Sequence, residues 1–333
     1  VSDMVVNSSV ARAAQTEDRT RTLNDFKSAD ALFHSLTFGA SVLVLLVMGG
    51  IILSLIIAAW PAMVAFGVGF FETTRWAVHA KPHPVMGVLA PLYGTMVTSV
   101  IAMLIAVPVG LGIAVFLTEL CPLWLRRPIS TAIELLAGIP SIIYGMWGMF
   151  YLAPFLATSV EPSIVAVFSH IPLLNVVFAE PISNQNLFNA GFVLAIMILP
   201  FITAVSCDVF ATVPPVLKEA AYGIGCTTWE VMRNVVIPYT RVGLIGGVML
   251  ALGRALGETM AVTFIVGNES KVTGSIFSAG VTISSLIANE FAESDGLHQS
   301  ALLYSGLILF VLVFFVLTAA RYMLARGERK LGA

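Results

Sequence analysis

Charge is scarce in this chain of 333 residues: Asp, Glu, Lys and Arg make up 11% of it, where a soluble domain carries about 25%. So few charged groups cannot clothe the two water-exposed domains that a length of ~150 residues per domain would otherwise suggest. The formal net charge is -2 and the pI near 6.2. Nucleic-acid partners call for a clustered basic face, which this balance excludes. Cysteine is scarce too. Cys121, Cys207 and Cys226 are odd in number and contain no Cys-x-x-Cys pair, which excludes a disulfide framework and a structural zinc site. The sequence has no His-Glu-x-x-His, so an embedded zinc protease lacks its machinery, and no Gly-x-x-x-x-Gly-Lys-Ser/Thr, so the chain lacks the phosphate loop for ATP hydrolysis of its own.

Apolar side chains are what the sequence has: 58% hydrophobic residues and a mean hydropathy of +0.94. Six stretches reach the ~20 residues that span a bilayer as a helix, at about 36–60, 92–117, 133–156, 190–210, 242–266 and 301–323. They must be helices, because lipid offers no hydrogen bonds to an open backbone and the alternation of a barrel strand is missing. The fold class expected is all-α and polytopic. The first stretch is too long for a signal-peptide core and no Ala-x-Ala site follows it, so it is read as an uncleaved helix. A polar, flexible segment, 1–30, precedes it; the first helix and an outer loop fill 31–88, the core 89–323, and a basic tail 324–333.

With both termini in the cytoplasm, 13 of the 17 basic residues fall inside: Arg12, Arg19, Arg21, Lys27, Arg126, Arg127, Lys218, Arg233, Arg241, Arg321, Arg326, Arg329 and Lys330. Arg75, Lys81 and Lys271 fall outside and Arg254 lies within a span. Such asymmetry is what the positive-inside rule demands. The outer connections, near 61–90, 157–189 and 267–300, carry Glu72, Glu161, Glu180, Glu269, Glu290, Glu293 and Asp295 against those three cations, a balance that would not steer a free anion inward. Four histidines, His79, His83, His170 and His298, also fall there.

The inner segment 211–241 has helix signals of its own. Pro214 and Pro215 suit the first turn of a helix, where a missing N–H is no loss. Gly223 or Gly225 suits its left-handed end. Thr227 stands three residues before Glu230 as in a capping box, and Pro238 is expected to stop the second helix. A helix, a glycine turn and a short helix follow from this. Taken alone, such a hairpin is either an amphipathic pair at the interface anchored by Trp229 or a helix-turn-helix, though Trp229, Glu230, Met232 and Arg233 are too acidic and apolar to hold phosphates.

Glu219-Ala220-Ala221, Gly225 and Val235-x-Ile237-Pro238 resemble the EAA loop (212–240) of permease subunits in bacterial ABC importers, with Val235 and Ile237 as conservative departures. The resemblance narrows to the permeases of phosphate-specific importers at 251–263, 139–148, 222–231 and 288–293. It implies a type I importer permease fold in the bacterial inner membrane and a path for inorganic phosphate. Glu219, Ala220, Ala221, Gly225 and Pro238 would couple to a separate ATPase dimer, which holds the ATP and Mg2+; no cofactor is expected on this chain. A second permease subunit as heterodimer and a periplasmic or surface phosphate-binding protein are the other implied partners. Kept beside this are a permease for molybdate or sulfate and, from another class, a membrane enzyme or signalling scaffold.

Arg254 lies mid-membrane in the fifth stretch, where an ionisable group costs at least ~2.5–3.5 kcal/mol and must face protein or water. Glu258, four residues on, is expected on the same helix face. The two are either a structural ion pair or a path element in which Arg254 offers its donor fork to an oxyanion; the resemblance favours the path. Gly243, Gly247, Gly253 and Gly257 read as small-xxx-small packing pairs. Pro140 should kink the third span and leave a carbonyl near 136 unpaired; Ser141 and Tyr144 would either line a path or satisfy that polarity. Glu119 and Glu134 sit near inner helix ends, with structural and gate-edge roles both open.

Overall fold

The computed structural model describes the backbone of residues 2–78, 84–168, 170–171, 174–179 and 182–329, and the side chains of 30, 32–78, 84–168, 170–171, 174–179 and 182–322. His79, Lys81, His83, Glu180 and Lys330, with the side chains of Arg12, Arg19, Arg21, Lys27, Arg326 and Arg329, lie outside the described residues. The chain divides into two units, Val1–Ile57 and Ala58–Ala333.

The first unit is helix. Helix α1 runs Ser2–Phe66, so the described backbone of the polar segment is helical and continuous with the first span. The first glycine is Gly39 and the first proline Pro61, so nothing in the polar segment breaks a helix once formed.

Among the described residues, six helices are long and apolar enough to cross a membrane: Leu32–Phe66, Leu89–Leu120, Ser141–Phe168, Leu187–Ala211, Thr228–Leu256 and Gly296–Tyr322. They are built on α1, on α2 (Leu89–Val115), on α4 (Ser141–Trp147) after the separate α3 (Leu123–Ala137), on α5 (Leu187–Ala211), on α8 (Ile237–Leu256) after α6 (Pro215–Gly223) and α7 (Thr228–Val231), and on α11 (Gly296–Arg329). The third span departs from its expected bounds of 133–156. Pro140, with ψ 137°, is extended and cannot carry α3 across, so Glu134 belongs to α3 and the span starts at Ser141 and continues to Phe168. Of the basic tail, residues 324–329 continue α11, which runs to Arg329.

Hydrocarbon tails are as apolar as Leu, so close backbone approach rather than escape from water holds such helices together. In the second unit α2 and α5 meet this way. An added Cβ at Gly110 would stand 2.8 Å from Ile202 Cγ2, and one at Gly191 2.8 Å from Ile101. Around this seam Ala102, Ala106, Leu194, Ile198, Ile202, Ala251, Ala255, Ala261 and Ile265 form one buried cluster. Gly243 and Gly247 of α8 pack on Val209 and Val205 of α5, where a Cβ would come within 2.8 and 2.6 Å. The other pair does not repeat this: Gly253 meets Leu317 at an ordinary 3.5 Å, and Gly257 meets carbonyls of its own turn. The end of α1 is tied to α11 by Ser300, whose Oγ donates to Ala58 O at 2.8 Å and accepts from Ala62 N at 3.1 Å.

The later part of the segment after the fifth span, 275–282, is not a surface loop. Phe277 and Val281 are buried, and Ile276 and Ser278 carbonyls accept from Phe188 and Leu187 N–H at 2.9 and 3.3 Å. It leads into α10 (Ile283–Glu290), capped by Thr282 and Ser285. Gly94 of α2 abuts this segment so closely that an added Cβ would lie 2.0 Å from Val281 O. Gly94→Ala is therefore expected to destabilise the subunit by about 1–3 kcal/mol, the usual cost of overpacking. The amount of folded protein in membranes and its melting in detergent check this.

Candidate coupling hairpin and transport path

The hairpin is built from its caps. Pro214 is the N-cap of α6 and Pro215 its first residue, as their missing N–H groups suggest. At the far end Cys226 N donates to Ala221 O at 3.2 Å and Gly225 N to Tyr222 O at 2.9 Å, the two bonds of a Schellman motif with Gly225 at the left-handed position. Gly225 has φ +91°, while Gly223 stays helical, which settles the alternative left open between the two glycines. Thr227 then caps α7: its N–H and Oγ1 each donate to Glu230 Oε2 at 2.8 Å, and its Oγ1 accepts from Glu230 N at 3.4 Å.

Pro238 does not stop the second helix. Met232–Val236 is a π turn, and Pro238 falls in the first turn of α8 directly after it, where the ladder has already changed register and no α-helical bond awaits its N–H. The second arm of the hairpin and the fifth span are thus one helical run, Thr228–Leu256. Ala221, Val231, Met232 and Val236 pack with Phe210, Val213 and Ala114 from the ends of α5 and α2. The opposite face is open: Glu219 and Ala220 are exposed, as are Val216, Tyr222, Ile224 and Trp229.

The path candidates are arranged differently from the expectation of one straight helix. Helix α8 ends at Leu256, Gly257 and Glu258 lie in a break, and the short α9 (Met260–Ile265) begins after Thr259. Arg254 and Glu258 therefore do not share a helix face, and no salt bridge joins them among the described residues. The physical reason is Gly257, which closes α8 with ψ near 0° and costs ~1 kcal/mol against Ala inside a helix. Arg254 occupies the last turn of α8, where the negative end of the helix dipole favours a cation. It is exposed and its five N–H donors have no hydrogen-bond partner among the described residues. Glu258 Oε1 instead receives Ala261 N at 3.5 Å, at the start of α9.

The start of the third span reaches this break. Gly145 of α4 packs against Ala261 so closely that an added Cβ would stand 3.0 Å from Ala261 Cα. Tyr144 Oη donates to Leu136 O at 2.8 Å, so the hydroxyl is committed to the carbonyl that Pro140 leaves without its helical donor. Ser141 opens α4 half-buried, and its hydroxyl makes no hydrogen bond among the described residues.

Three arrangements escaped the sequence. Glu161, placed in an outer loop, is buried at the end of the third span and accepts from Asn186 Nδ2 at 3.0 and 3.2 Å, while Asn186 Oδ1 caps α5. Glu290 is held by Trp76 Nε1 at 2.7 Å and His298 Nε2 at 2.8 Å. Neither acid is a bare charge at an outer mouth. The third arrangement joins Lys218 of α6 to Glu119; a separation of 99 positions carries no spacing signal.

A family model described as binding-protein-dependent transport system inner membrane component matches residues 106–330. A phosphate transport system permease protein PstC of Mesorhizobium japonicum is 56% identical over 97% of this chain and 98% of its own length. The protein of that name in Pasteurella multocida is 47% identical, covering 96% and 98%. Among solved structures, a bacterial alginate ABC transporter in complex with an alginate-bound periplasmic protein aligns with a TM-score of 0.55 at 17% identity, over 86% of this chain and 94% of that one. The MetNI methionine ABC transporter in an inward-facing form aligns at 0.50 and 19%, covering 72% and 94%. These two likenesses concern the fold.

Proposed function

The chain belongs to the binding-protein-dependent transport system inner membrane components, and on that premise we propose that it is the PstC-type permease subunit of a phosphate-specific ABC importer. Six apolar helices make it a multi-pass protein of the cytoplasmic membrane. Identity of 56% over nearly the whole chain with a phosphate permease supports phosphate as the cargo. In this reading the subunit forms a heterodimer with a PstA-type permease and receives phosphate from a PstS-type binding protein. A PstB-type ATPase dimer, which holds the ATP and Mg2+, docks on the exposed face of the hairpin around Glu219 and Ala220.

The path runs past the break at Gly257. Arg254, without a hydrogen-bond partner among the described residues, offers a planar fork to phosphate oxygens. Glu258, held at the start of α9, keeps a negative charge near and raises the cost of an anion resting there. Ser141 is the weaker neighbour in this path, and Tyr144 orders the helix start beside it.

The decisive experiment is ATP hydrolysis by the reconstituted complex. Phosphate-loaded binding protein should stimulate it and molybdate or sulfate should not; equal stimulation by either would reassign the cargo. Topology has its own test. With both termini cytoplasmic, cysteines placed at Arg126, Lys218 or Arg329 should resist an impermeant thiol reagent in intact cells, whereas those at Lys81 or Lys271 should react. Strong labelling at 218 with none at 271 would invert the orientation.

A further inference from the structure

Glu119 lies in the π turn Phe116–Leu120, which prolongs α2 beyond Val115. Lys218 lies on α6, one residue before Glu219. Lys218 Nζ donates to Glu119 Oε1, and the two side chains retain only 21% and 10% exposure. By contrast, Lys271 and Glu269 are neighbours two residues apart and are 72% and 53% exposed; such a solvated pair carries little energy. The part-buried pair of Lys218 and Glu119 is of another kind, because removing one partner leaves a half-desolvated charge alone.

The pair stands beside the apolar cluster that seats the hairpin on the ends of α2 and α5. Apolar contact is non-directional, so that cluster alone would let the hairpin slide over the helix ends. A charge-assisted hydrogen bond is short and directional, and it fixes α6 to the end of α2 in one register. From Glu119 the connection outward is a single helix. The 27 residues of α2 extend ~40 Å at 1.5 Å per residue. Along its length α2 is keyed to α5 at Gly110 and Gly191. At its other end Gly94 touches Val281, and Thr95 Oγ1 accepts from Ile283 N at 3.0 Å.

We propose that the Glu119–Lys218 ion pair is the strut through which the hairpin moves the second span, carrying ATPase closure to the far end of α2 and the segment at Val281–Ile283. This deepens the coupling role given to the hairpin and rests on it. Glu119 and Lys218 are positioning residues, so their loss should separate ATP hydrolysis from transport rather than abolish both.

The test is phosphate uptake per ATP hydrolysed, measured in liposomes with the complete complex of both permeases, the ATPase and the binding protein. Glu119→Gln with Lys218→Met removes both charges without stranding either. Assembly and hydrolysis should stay near wild type while uptake per ATP falls about tenfold, within the usual range of coupling energies. Reversal of the pair, Glu119→Lys with Lys218→Glu, should restore most of the ratio. A wild-type ratio in the neutral double variant would overturn the strut. Loss of hydrolysis together with uptake in an assembled complex would do the same, because the pair would then serve ATPase engagement, and so would a reversed pair that stays uncoupled. If the neutral double variant fails to assemble, the reversed pair decides by itself; failure of both to assemble makes the pair a clamp and overturns the proposal. Gly225→Val separates this from the wider reading. If it keeps the wild-type ratio, the hairpin role itself fails; if it uncouples while the neutral double variant does not, only the strut fails.

Discussion

Gly225→Val should insert and assemble normally, yet take up phosphate at least about fivefold more slowly than wild type, the low end of a typical coupling free energy. The reason is conformational. Gly225 sits at φ +91° with nothing within 4 Å of an added Cβ, so the site has room for a side chain but not for its backbone preference. A β-branched residue held there costs on the order of 1–3 kcal/mol. The hairpin can shed that strain only by giving up the Schellman bonds to Ala221 and Tyr222. Opening them swings α6, with Glu219 and Ala220, away from α7. Gly225→Asn is the control, since Asn tolerates the left-handed region and should retain most of the uptake. Because the residue touches no core side chain, membrane level and ATPase association should barely change. Wild-type uptake by the valine variant, with the ATPase bound, would remove the turn from the coupling pathway.

The hairpin was legible in the sequence because its signals are local. A proline pair, a glycine at the left-handed position and a Thr/Glu box each act within a few residues, and the structure places Pro215, Gly225 and Thr227 where those rules put them. The spans were legible for a similar reason, since twenty apolar residues in a row signal a membrane helix wherever they fall. What failed was punctuation inside apolar runs. Pro238 looked like a stop and is absorbed by a π turn, whereas Gly257, which looked like a packing residue, ends α8. Composition cannot separate these cases, because whether a break is tolerated depends on which neighbouring helix satisfies the freed groups. Long-range polar contacts were illegible for the same reason. Glu119 finds Lys218 and Glu161 finds Asn186 only after the helices have packed, and no periodicity announces them.

Replacing Arg254 should produce the largest loss of transport with the smallest loss of structure. Had Arg254 and Glu258 been a buried ion pair, Arg254→Ala would strand a carboxylate in the membrane, and neutralising both would restore assembly and uptake together. The structure removes the geometric basis for that outcome. Glu258 lies beyond the end of α8 and points an oxygen at Ala261 N, while Arg254 has no partner among the described residues. Arg254→Ala should therefore assemble with its partners and fail to transport. Losing a charge-assisted hydrogen bond costs ~1.5–3 kcal/mol, which is about ten- to a hundredfold in rate. Arg254→Lys keeps the charge but presents a point rather than a planar fork, so it should fall between alanine and wild type. Glu258→Gln should reduce uptake less, because an amide oxygen still accepts from Ala261 N. The double variant Arg254→Ala with Glu258→Gln then separates the two roles. It should assemble and remain as inactive as Arg254→Ala, measured as phosphate uptake against the amount of complex in the membrane. Full uptake by that double variant would withdraw the anion contact and return both residues to architecture.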